Sequence, residues 1–134
     1  MNVREYSLSD LDALRNIHAR QSFDYQFPDL ENPLFVSKLI QEDTKGQITM
    51  GALARVTCEI YLLADPDRDT PRQRLTNLIS LHSAAASDLL RKGLEDAHAW
   101  IPPKIARRFG RRLTQLGWVR DDAWTPYSIR LRSS

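Results

Sequence analysis

Glu59 stands in the run Cys58-Glu59-Ile60-Tyr61, a lone carboxylate among apolar and aromatic neighbours. Such surroundings favour the neutral acid and raise its pKa, which suits a group that must take a proton from a nucleophile. The same residue also reads as an ordinary solvent-side glutamate on a half-exposed strand. Downstream, Asp65, Asp67 and Asp69 alternate along a loop before Arg72, Gln73 and Arg74. The aspartates mimic the start of a calcium loop. The sixth position of that loop is Thr70 instead of Gly, however, and the twelfth is Thr76 instead of Glu. A solvated turn capping the next helix is therefore expected, and no metal. His18, His82 and His98 are far apart, and none has metal-ligand spacing with Cys58. His82 lies near an apolar helical stripe and reads as a core or edge residue. No Gly-x-Ser-x-Gly elbow supports a serine nucleophile.

Two further groups carry charge or aromatic surface. Arg107, Arg108, Arg111 and Arg112 recur at i, i+1, i+4 and i+5 and share one helix face, opposite Ile105, Phe109 and Leu113. A solvated face is the expected role, with phosphate contact as the functional alternative. Nucleic acid is accordingly not the expected partner. Phe23, Tyr25, Phe27 and Phe35 lie in and beside a proline-bearing stretch, where packing is the usual fate of aromatic rings.

The elements that position these residues follow from pattern. Asn2 to Tyr6 alternates in polarity and predicts a short strand. Ser9 or Asp10 caps a helix in which Leu11, Leu14, Ile17 and His18 recur at helical spacing. Residues 21–33 predict a loop. Leu34 to Gln41 predicts a short helix with Phe35, Leu39 and Ile40 on its apolar side. Asp43 to Gly46 is a turn between that helix and a strand from Gln47 to Arg55. A second strand runs from Val56 to Ala64. Arg72 to Lys92 is the longest helix, with Leu75, Leu78, Ile79, His82, Ala85, Ala86, Leu89 and Leu90 along one stripe and Gly93 as its C-cap. Leu94 to Ile101 predicts a strand. Pro102-Pro103 then opens a helix that ends near Leu116 and Gly117. Trp118-Val119 and Trp124 to Leu131 predict a terminal hairpin.

The composition is that of one ordinary globular domain. The chain has 134 residues, 42% hydrophobic and 27% charged, with a formal charge of +2. These values exclude collagen-like, low-complexity and wholly disordered chains. No apolar run approaches a membrane span, and the first residues lack the pattern of a signal peptide. With Cys58 as the single cysteine, a reducing, cytoplasmic setting is expected. Fifteen of the nineteen basic residues are Arg, which a GC-rich genome accounts for more simply than function does.

This order, β-α-α-β-β-α-β-α-β-β, resembles the GNAT (Gcn5-related N-acetyltransferase) family across nearly the whole chain. Four passages carry the resemblance: "VREYSLSDLDALRNIH", "ITMGALARVTCEIYLLADP", the long helix ending at Gly93 before another strand, and "RRFGRRLTQLGW". Their order, more than any one of them, makes the likeness. It implies an α/β (α+β) fold with a mixed, mostly antiparallel central sheet flanked by helices, in one domain over residues 1–134.

The resemblance also implies an activity: transfer of an acetyl group from acetyl-CoA to a primary amine on a small molecule or a protein. In that family the pantetheine arm lies in a splay between the two central strands and is bonded like a missing strand. Here that role falls to Leu62, Leu63 and Ala64, with Glu59 as base. The family's phosphate motif, Arg/Gln-x-x-Gly-x-Gly/Ala, falls on Asp69, Arg72 and Arg74, where side chains replace its glycines. Arg72, Gln73 and Arg74 are therefore expected to meet the pyrophosphate with guanidinium groups as well as with a helix N-terminus. The acid for the leaving thiolate is often a Tyr in the last helix, and that stretch holds none here. Tyr25 and Phe27 fall where the acceptor enters, and a homodimer is compatible with the fold. The alternative is a catalytically inactive protein of this fold, a binding or structural subunit of the kind a phage or mobile element carries. Nucleic-acid binding through the arginine helix ranks below both.

Overall fold

The computed structural model describes residues 1–132. Its contacts divide the chain into two compact units, one of Met1–Ile60 with Ser87–His98 and one of Tyr61–Ala86 with the chain from Ala99 onward.

In the first unit, β1 (Asn2–Glu5), β2 (Phe35–Glu42) and β3 (Ile48–Arg55) form an antiparallel sheet in the order β1-β2-β3. Helix α1 (Leu11–Gln21) packs on one face of it. The core is Leu14, Leu30 and Ile40, with Tyr6, Leu11, Phe27, Phe35, Ile48 and Leu53 packed around them. Ile40 and Gly51 are cross-strand partners. A Cβ on Gly51 would stand 3.1 Å from Leu14 Cδ2, so the missing side chain is what lets α1 lie this close to the sheet.

The expected helix from Leu34 to Gln41 is instead the central strand β2, hydrogen-bonded on both sides. The apolar positions 35, 39 and 40 suit a helix in spacing, but a bulge between Phe35 and Ser37 shifts the strand's alternation. Lys38 is then half-buried and Ile40 fully buried in the core with Leu14, while Val36 and Leu39 are exposed. Lys38 serves its inward position by donating Nζ–H to the Leu30 carbonyl at 2.8 Å, with its ammonium over the Tyr6 ring.

Arg4 closes the top of this unit. Its guanidinium holds Asp10 through two bonds of 2.8 Å and Glu42 through Nε at 2.9 Å. Asp10 is buried, and it also accepts the Ser7 amide at 2.8 Å. Hydrogen bonding to Arg4 holds its carboxyl down to about 2, against the opposing effect of burial.

A second, parallel ladder joins β4 (Cys58–Glu59) to β5 (Ala97–His98). It is shorter than the two expected strands, Val56–Ala64 and Leu94–Ile101. The partner of the segment before the acidic loop is therefore β5, whereas the family resemblance implied its neighbour β3. Strand propensity in Ile60 to Leu63 makes no ladder on its own, because it acts through the partner it packs against. Together the sheets give an α+β arrangement with antiparallel and parallel parts.

The second unit holds most of helix α2 (Pro71–Arg91) and all of α3 (Pro103–Gln115). Both helices end in Schellman motifs. Leu94 N–H bonds the Leu89 carbonyl at 3.1 Å and Trp118 N–H bonds that of Leu113 at 2.9 Å, with Gly93 at φ +85 and Gly117 at φ +98. Among the described residues the stretch after Gly117 forms no hairpin. Trp118 is held by α3's cap and by a hydrogen bond to His82, and that leaves no strand to pair. No described helix is long and apolar enough to cross a membrane.

Candidate functional site

Glu59 sits on β4 with its side chain exposed, outside any enclosure by Cys58, Ile60 and Tyr61. Its register partner across the parallel ladder is His98, also exposed. Register partners in a parallel pair project to the same face, so a carboxylate and an imidazole stand side by side there. Sequence reasoning missed His98, since the two are 39 positions apart and only the ladder joins them.

The ladder is fixed from behind. Arg55, at the end of β3, binds both Glu95 and Asp96 just before β5, and Asn32 adds a bond to Glu95 at 2.9 Å. Hydrogen bonding to Asp96 comes first among the influences that raise the Arg55 pKa. Cys58 turns its thiol to the Asp96 carbonyl at 3.3 Å, so it is engaged in the ladder's own support. One further backbone bond, Ile60 N–H to the His98 carbonyl at 2.8 Å, ends the pairing.

Past that point Leu62, Leu63 and Ala64 are exposed, Leu63 to 91%, and among the described residues their backbone groups find no hydrogen-bond partner. A short acidic loop follows. Asp65 accepts the Asp67 amide at 2.9 Å, and Asp69 adopts φ +66. Thr70 and Gln73 then cap α2 reciprocally: Gln73 Oε1 accepts the Thr70 amide at 2.8 Å, and Thr70 Oγ accepts the Gln73 amide at 3.2 Å. Arg74 N–H bonds the Thr70 carbonyl, and Pro71 has no amide hydrogen. Among the described residues the helix N-terminus thus satisfies itself, with the Arg72 amide left over. Gln73 belongs to that cap. The Arg72 and Arg74 side chains are exposed and form no ion pair among the described residues. Among the same residues, no cluster of three metal-ligating side chains occurs.

Tyr25 and Phe27 meet on His18, whose ring stands edge-on to both at 4.9 and 5.6 Å. Phe27 also joins the core and lies under the Arg15 guanidinium, whereas Tyr25 is 41% exposed and stacks on Phe23. His18 Nε2 is buried without a hydrogen-bond partner. Helical spacing put His18 near the α1 stripe; its place between two loop aromatics depends on the path of residues 22–30, which no periodicity records.

No family model matches the chain, and neither a curated protein nor a solved structure is similar to it.

Proposed function

We propose that the chain is a GNAT-type N-acyltransferase that moves an acetyl group from acetyl-CoA to the primary amine of a small molecule or a protein. The observation that supports it is the ladder that stops at Ile60, followed at once by the unpaired, exposed backbone of Leu62 to Ala64. Those donors and acceptors fit an extended amide-bearing arm that adds itself as a strand. The neighbouring helix end fits less well, because the Thr70–Gln73 cap uses the amides that a pyrophosphate would need. Arg72 and Arg74 hold that group through their guanidiniums instead.

Acetyl-CoA, when bound, supplies the activated thioester. Leu63 and Ala64 orient it through their backbone groups. Glu59 accepts the proton that the amine releases, directly or through a water, and His98 beside it offers a second site for that proton. Tyr25 and Phe27 border the acceptor.

The second reading is a binding or structural subunit of the same fold without turnover, and the self-satisfied α2 N-terminus favours it. Calorimetry and thermal unfolding with acetyl-CoA decide between them. Binding should stabilise the protein by about 2.7 kcal/mol at a hundredfold excess over Kd. Arg72→Glu with Arg74→Glu should weaken it by about tenfold or more. No heat and no shift at millimolar acetyl-CoA overturns the enzymatic reading.

A further inference from the structure

The charge of this chain is strongly divided between its two units. The second unit carries eleven Lys and Arg against five Asp and Glu, and the first carries eight against twelve. A net +2 hides this division. Most of the excess lies on α3, whose sequence PKIARRFGRRLTQ has five cations and no acid.

At about 100° per residue, Lys104, Arg107, Arg108, Arg111 and Arg112 fall within an arc of about 140°. All five are exposed, and among the described residues none forms an ion pair. The protein's other cations are often paired. Arg4, Arg55, Arg91, Lys92 and Arg120 each hold a carboxylate within their own part of the chain. The opposite side of α3 presents Ala106, Phe109, Leu113 and Leu116, all half-buried. The cationic side of the helix thus faces outward without a neutralising carboxylate among the described residues, opposite a half-buried apolar side.

We propose that this face binds the phosphodiester backbone of a nucleic acid. The cations recur once per turn, about every 5.4 Å, a regular row that suits a polymer with evenly repeated negative charge. Four of the five are Arg, whose planar fork engages phosphate oxygens two at a time. A lipid surface fits less well, since a membrane-surface helix needs its apolar side free to enter the acyl region, and Ala106, Phe109, Leu113 and Leu116 are each half-buried. No acid on α3 competes for the cations.

The test uses the full chain and two fluorescein-labelled probes, a duplex DNA of about 20 base pairs and a single-stranded RNA of about 20 nucleotides. Anisotropy is followed between about 50 and 200 mM salt. With four or five phosphates neutralised, affinity for the duplex should fall by about two orders of magnitude across that range. The stronger arm identifies the nucleic acid. Arg108→Glu with Arg111→Glu should abolish binding, and Arg108→Gln with Arg111→Gln should lower the salt slope by about two. Unchanged circular dichroism and melting establish that these surface variants fold. The proposal is overturned by any of the following results. One is no anisotropy change at about 100 µM protein in low salt. Another is binding indifferent to both variant pairs. The last is retention only by phosphatidylserine vesicles, or only self-association at low salt through the acid-rich first unit.

Discussion

Glu59 and His98 are register partners in a two-residue parallel ladder, and both side chains are exposed. Under the acyl-transfer reading this pairing makes Glu59 the proton acceptor and His98 its neighbour on the same face. Glu59→Gln should lower kcat for acetyl transfer to a primary amine by about 10²–10⁴, with the KM for acetyl-CoA little changed. His98→Asn should act in the same direction and less. Steady-state kinetics with both variants checks this, and a Glu59→Gln protein turning over at the wild-type rate would remove Glu59 from the chemistry.

The acid stability of the first unit should depend on Asp10. Its carboxyl is held down to about 2, by Arg4 first and the Ser7 amide after, while burial works against them. A carboxyl depressed on folding stabilises the native state above its unfolded pKa of about 3.9 and loses that contribution as the pH falls toward about 2. Unfolding free energy should thus drop between about pH 4 and pH 2, by an order of 1–2 kcal/mol once partial screening at Arg4 is allowed for. Asp10→Asn should flatten that drop and lower stability at neutral pH. Urea titrations across the acid range measure both effects.

The helices were legible where capping and period agree. Thr70-Pro71 and Gly93 bracket α2, and Pro103 and Gly117 bracket α3, so local chemistry alone set their ends. β2 was not legible, because its bulge near Phe35 mixes two strand phases into something that counts as helical. The site divided in the same way. Glu59 and the Arg72–Arg74 stretch could be picked out by residue type. His98 and His18 became visible only through the β4–β5 register and the loop path that brings Tyr25 and Phe27 to one ring. The capping role of Gln73 was also hidden, although Thr-x-x-Gln is a recognised pattern at a helix start.

Gly51 and Leu14 should behave as a coupled pair. A Cβ at Gly51 meets Leu14 Cδ2 at 3.1 Å and Ile40 Cδ1 at 3.5 Å, both in the core. Gly51→Val should cost about 1–3 kcal/mol by overpacking, despite the better strand propensity of Val. Leu14→Ala alone should cost about 2–5 kcal/mol through the cavity it leaves. Combined, the two should cost less than their sum, since the added methyls occupy the vacated space. Chemical denaturation of the four proteins yields the coupling, and strict additivity would mean that the two side chains do not compete for that space.

In the second unit a polar contact ties α2 to the turn after α3. Trp118 donates its indole N–H to His82 Nε2 at 2.9 Å, with the two rings 6.3 Å apart and inclined at 62°. As the acceptor, Nε2 must be unprotonated, so the neutral ring carries its hydrogen on Nδ1. Trp118→Phe keeps much of the apolar contact but strands a half-buried acceptor, which should cost about 1 kcal/mol. His82→Ala should cost a similar amount, and the double variant should recover about 0.5–1.5 kcal/mol of the summed loss, because the bond is lost only once. Thermal and urea unfolding of the single and double variants give that coupling. A value near zero would assign Trp118's position to the α3 cap alone, through its backbone bond to Leu113.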